Sequence, residues 1–164
     1  KLWSWVGLWW AFKKAEKRER DCLKYLELNN PLEYKGIGIT EIGSYYPYDG
    51  IGHVKDGNFK KMGYVEVKIR DFNSSDYPTA YLEKKKVDNL IEFSRTEEYI
   101  PSANFYYFAV YPKSKEVYVF NILSTPHTLE LNVRCPKTTM GNTEMINKDM
   151  VAFKLEDAIL KIKL

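Results

Sequence analysis

The stretch GYVEVKIRDF, residues 63–72, places Val65, Val67 and Ile69 at alternate positions, with Glu66, Lys68 and Arg70 between them. Successive side chains of a strand point to opposite faces. The segment therefore reads as a β-strand that buries an aliphatic row and sends Glu66 and Lys68 out on one side. Upstream, the β-branched and aromatic residues of positions 37–48 predict an earlier strand with irregular ends, followed by the Gly-rich stretch DGIGHVKDGNFKK at 49–61. Further back, residues 2–28 have helix-forming composition, with Leu8, Phe12, Ala15, Cys22 and Leu26 at helical spacing and Glu19 on the same stripe. Asn29, Asn30 and Pro31 end that helix. A carboxylate on such a stripe has to reach solvent, pair with a cation or bind a metal, because an unpaired buried charge is strongly disfavoured.

Downstream of NSSDYP, residues 79–93 read as a helix, with Leu82, Lys86, Leu90 and Phe93 close to one face. The runs NFYYFAVYP and KEVYVFNIL, at 104–112 and 115–123, read as two strands joined by a short turn and pairing antiparallel. Beyond Pro126 the periodicity weakens, and MVAFKL and AILKIKL are either short strands or a closing helix and strand. The expected class is α/β or α+β, a sheet-centred domain with the long N-terminal helix packed beside it. One domain over residues 1–164 is expected, standing alone or as a piece of a longer chain.

Composition narrows the function without deciding it. A formal charge of +3 is compatible with a basic patch beside an acidic centre, and is too mild to demonstrate nucleic-acid binding. Cys22 and Cys135 form no metal-spaced pair, so neither a disulfide framework nor a zinc finger is signalled, and a reducing, cytoplasmic setting is expected. The opening KLWSWVGLWW is too short to span a bilayer and runs into a charged stretch, so no membrane anchor is expected. Its Trp3, Trp5, Trp9 and Trp10 suit a core, a partner surface or a stacked base. No Walker loop, dinucleotide loop, nucleophile elbow or zinc-protease motif occurs.

The chemistry-bearing residues follow one another in a definite order: Glu19 on the first helix, Asp49 at the end of the first strand region, Glu66 and Lys68 on the next strand, Lys86 on the following helix. Carboxylates gather magnesium ions, which polarise a scissile phosphate and lower the pKa of an attacking water. An ammonium two positions from Glu66 on the same face orients that water or neutralises the phosphate without competing for the metal. Each residue also has a plainer reading. Asp49-Gly50 favours a turn, Glu19 suits a surface salt bridge, and EKKK around Lys86 suits the wet face of a helix. Asp56, His53 and Glu41 are the local competitors for a place at the metal.

PYDG at 47–50 followed by EVK at 66–68 resembles the PD-(D/E)XK motif of restriction enzymes, junction resolvases and related phage or repair nucleases. The resemblance implies an α/β fold, a mixed central β-sheet flanked by helices with a restriction endonuclease-like core in the order α-β-β-β-α-β, and a first carboxylate on the preceding helix, where this chain has Glu19. It implies a magnesium-dependent endonuclease acting on DNA, with Glu19, Asp49 and Glu66 on the metal side, Lys68 in the chemistry and Lys86 as a phosphate contact. Manganese is the expected substitute for magnesium, and a homodimer would suit cleavage of two antiparallel strands. The chain departs from the motif in that Tyr48 separates Pro47 from Asp49. A catalytically inactive nucleic-acid-binding module and a structural interaction domain with the same fold remain the alternatives.

Overall fold

The strand predicted from the alternation at 63–72 runs Phe59–Ile69, and it is the third of nine in the described part of the chain. The computed structural model describes residues 15–29, 33–41, 44–136 and 144–164. In chain order these form helix α1 (Ala15–Asn29), strands β1 (Lys35–Ile39), β2 (Gly50–Asp56), β3 (Phe59–Ile69) and β4 (Thr79–Glu83), and helix α2 (Lys84–Phe93). Strands β5 (Asn104–Tyr111), β6 (Glu116–Asn121), β7 (Thr128–Pro136), β8 (Met145–Lys154) and β9 (Leu160–Lys163) follow. The expected helix thus occurs over its second half, and the tryptophans, with Leu8 and Phe12, lie outside the described residues.

A six-stranded sheet has the order β1-β2-β3-β5-β6-β9, and a three-stranded sheet the order β4-β8-β7. The first is mixed: β3 and β5 run parallel, while its other pairs are antiparallel. A parallel pair requires a crossover between its strands, and here β4 and α2 supply it. This is a mixed sheet flanked by helices, an α/β architecture.

The alternation in β3 divides two apolar layers. Val65, Val67 and Ile69 share one with Tyr106, Phe108, Val110 and the α1 residues Cys22, Leu23 and Leu26. On the opposite face, Tyr64 joins Phe105, Tyr107 and Phe120, Leu90 and Phe93 of α2, and Leu82, Val151 and Phe153 of the second sheet. Glu66 and Lys68 therefore emerge on the face covered by α2 and the second sheet. Close approach needs glycine at Gly63, where an added Cβ would lie 2.3 Å from the fully buried Tyr106 ring.

Three local expectations change. The Gly-rich stretch 49–61 is the β2–β3 hairpin, closed by a tight turn in which Gly57 has φ +66°. The first strand stops at Ile39, and one further hydrogen bond in the same register, from the Thr40 N–H to the Asp49 carbonyl at 2.9 Å, extends its pairing with β2. Residues 79–83, expected to be helical, are strand β4, paired with β8 from Thr79↔Lys154 to Glu83↔Met150. Ala80 and Leu82 are buried between exposed-side neighbours in a period of two, which the longer helical stripe hid. The antiparallel pair β5–β6 forms as expected, and the two closing runs are strands β8 and β9.

Candidate functional site

Strands β2 and β3 part company at the pair Gly50↔Val65. Just beyond it, the Asp49 N–H still donates to the Val65 carbonyl at 2.8 Å. The Asp49 carboxylate then replaces the missing strand, its Oδ2 accepting the Val67 N–H at 2.8 Å. The last residues of β3 are left without a β2 neighbour, and Glu66 and Lys68 stand in that fork.

Four elements contribute to the fork. Lys68 Nζ lies 3.4 Å from Glu66 Oε1 and 3.6 Å from Glu19 Oε1, joining β3 to α1. Lys86 Nζ, in the first turn of α2, lies 3.4 Å from the same Glu66 oxygen. Glu66 is 1% exposed, and its Oε1 is buried with no hydrogen-bond partner among the described residues, where the two looser ion pairs hold it. Asp49 is tied to the group through Arg20, whose Nη1 is 2.9 Å from Asp49 Oδ1 and 3.8 Å from Glu19 Oε2. The structure thus brings all five expected residues into one charge network.

Arg20 is the member that the sequence reading missed. Its Nε donates to the Thr40 carbonyl at 3.0 Å and its Nη2 to Thr40 Oγ1 at 2.9 Å, so one buried guanidinium binds α1, the β1–β2 connection and Asp49. In KRERD it looked like one more helix-surface cation. No local signal marked it, because neighbouring helix positions lie roughly 100° apart and standing next to Glu19 does not put Arg20 on the same side. Of the competitors, Glu41 is exposed and offers its carbonyl to Arg20. Asp56 sits at the far end of the hairpin, bound to the Tyr106 hydroxyl at 2.9 Å and the Asn121 amide at 3.2 Å. His53 is paired with Met62 within the hairpin, four residues beyond Asp49.

The electrostatics reflect crowding of like charges. Burial pushes the Asp49 carboxyl up to about 6, helped by Glu19 and opposed by the Val67 N–H, Lys68 and Arg20. Burial also raises Glu19 and Glu66, with Glu66 adding to the shift of Glu19 and Asp49 to that of Glu66. Burial alone would lower Lys68; Glu66, Glu19 and Asp49 outweigh it and hold the ammonium charged above its ordinary value.

Among the described residues, no three His, Cys, Asp or Glu side chains are disposed as a ready-made metal cluster. Glu19, Asp49 and Glu66 are nonetheless oxygen donors of the kind a hard divalent cation takes, and Glu66 Oε1 has no hydrogen-bond partner among the described residues. Arg20, Lys68 and Lys86 neutralise them in this conformation, so a cation would enter by loosening those ion pairs. No family model matches the chain, and neither the curated proteins nor the solved structures provide a match.

Proposed function

We propose that the chain is a metal-dependent nuclease that hydrolyses DNA phosphodiester bonds at internal positions. The observation that carries this reading is the buried Glu66 oxygen between two lysines, without a hydrogen-bond partner among the described residues, in a fork shared with Asp49 and Glu19. The order α1, β1–β3, α2, β5, with β4 inserted before α2, further supports a restriction endonuclease-like core. In this reading Glu19, Asp49 and Glu66 hold magnesium, or manganese in its place. The bound ion supplies Lewis-acid polarisation of the phosphate and a lowered pKa for the attacking water. Lys68, kept protonated by its carboxylate neighbours, orients that water and offsets the charge that develops on phosphorus. Lys86, less buried than Lys68, binds a phosphate oxygen as the DNA approaches. Arg20 and the Val67 N–H fix the Asp49 carboxylate in the fork.

The neutral balance of the network favours one second reading, in which Arg20, Lys68 and Lys86 serve as permanent counterions in a catalytically inactive nucleic-acid-binding or interaction domain. Cleavage assays on linear, circular, mismatched, branched and single-stranded DNA, with magnesium, manganese or a chelator, separate the two. The nuclease should cut only with metal. Asp49→Asn and Glu66→Gln should each lower turnover by about a hundredfold or more, and Lys68→Ala should do so after DNA has bound. If folded variants at all three positions cut like the parent chain, the centre is wrong; if the parent cuts nothing, the inactive reading stands.

A further inference from the structure

Beside the fork lies a cavity of about 320 Å³ whose lining includes Thr40, Glu41, Ser44, Tyr46, Tyr48 and Ile51. Thr40 connects it directly to the centre: its hydroxyl lies 2.9 Å from the Tyr48 carbonyl and 3.1 Å from that of Asp49. The volume is at the small end for a ligand pocket and suits one flat ring system. Tyr46 is a propped wall. Its ring sits 5.4 Å from that of Tyr48 and 6.4 Å, edge-on, from that of Phe93, and its hydroxyl bonds Glu98. Even so, it remains 47% exposed, leaving ring surface for a partner. The Ser44 hydroxyl is buried without a hydrogen-bond partner among the described residues. A buried polar atom left unmatched is disfavoured, and a ligand that bonds it removes the penalty.

The charge of the lining decides which part of a nucleic acid enters. The described lining residues include Glu41 and neither lysine nor arginine, so a base edge suits them better than a phosphate. A base with an exocyclic amino group instead gives Glu41 a donor, Ser44 a partner and Tyr46 a π-face. We infer that this cavity is a nucleobase subsite, receiving an unpaired base that carries an exocyclic amino group, from single-stranded or locally opened DNA, next to the phosphate held at the fork. The inference rests on the nuclease reading and names the substrate feature that positions the cut.

The probe is a single-stranded oligonucleotide carrying 2-aminopurine, moved one position at a time along the strand, with calcium present to load the carboxylates in a looser geometry. One position should show strong fluorescence quenching. An abasic site there should weaken binding by about 5- to 150-fold, the range for losing one stacked base. Tyr46→Ala should abolish the quenching while Tyr46→Phe keeps it. Glu41→Ala should erase a preference for dA or dC over dT at that position, as should Ser44→Ala in part. Equal binding of abasic and intact strands, or quenching that survives Tyr46→Ala, overturns the subsite. Metal-dependent cleavage with no base dependence also rejects the subsite and leaves the nuclease reading intact. Base-dependent quenching without cleavage in magnesium keeps the subsite and removes the nuclease reading.

Discussion

Glu66 is the residue at which stability and chemistry pull apart most clearly. Its folded-state carboxyl is raised by burial and by Asp49, so the folded protein binds its proton more tightly than the unfolded chain does. Stability from that group is fully present below the ordinary carboxylate value of 4.5 and is lost as pH rises through the raised folded value. Glu66→Gln does not titrate. Its melting temperature relative to the parent should therefore climb between pH 5 and pH 8, even as metal-dependent turnover falls, and a flat difference would contradict the assignment. The alternation around Glu66 was legible because a strand's period of two is explicit in the sequence. Arg20 was not, since a helical cation looks alike whether it meets water or the Thr40 carbonyl and Asp49. Which of Asp49 and Asp56 stands at the fork was equally hidden: both precede glycine, and only strand pairing puts them at opposite ends of one hairpin.

At the scale of elements, β3 depends on close packing along both its edges and faces. Gly63→Ala would drive a methyl into the Tyr106 ring, which is fully buried and has no room to retreat. The expected loss is about 1–3 kcal/mol, the usual cost of overpacking, measured by urea unfolding. Val65→Ala, in the opposite sense, should lose about 2 kcal/mol by removing buried aliphatic surface and leaving a void. Neither change removes a charged group of the fork or the Val65 carbonyl that accepts the Asp49 N–H, so the mutant that still folds should retain the proposed metal-dependent cleavage. The β4 segment shows why element boundaries were less legible than element cores. Ala80 and Leu82 fit a strand, Leu90 and Phe93 fit a helix, and no proline or glycine marks the switch at Lys84. Pairing with β8, some seventy residues later, settles it.

For the molecule as a whole, the ion pair Lys148–Glu83 at 2.7 Å fastens the β8 strand to the β4–α2 junction, just ahead of Lys86. Burial alone would raise Glu83, but the hydrogen bond and charge of Lys148 outweigh it, aided by Lys68 and Lys86, and the net shift is downward. A lowered carboxylate contributes stability above its unfolded value of 4.5 and loses it as pH falls through the folded value. Lys148→Met should therefore reduce stability at pH 7 and much less at pH 3. Equal losses at the two pH values would assign the effect to packing.

The parallel pair β3–β5 also dictates an order of events in time. The β2–β3 hairpin joins near neighbours and can form early, whereas Gly63 meets Asn104 only after the whole β4–α2 crossover has been laid down. Non-local pairing of this kind slows folding. Asp49, Glu66 and Lys68 all belong to the fast-forming local unit and its immediate extension, so their backbone positions are set before the sheet is complete. Lys86 arrives with the crossover. During synthesis Glu19, Asp49 and Glu66 thus emerge with Arg20 and Lys68, and α2 brings the last positive charge of the network, Lys86, as it docks.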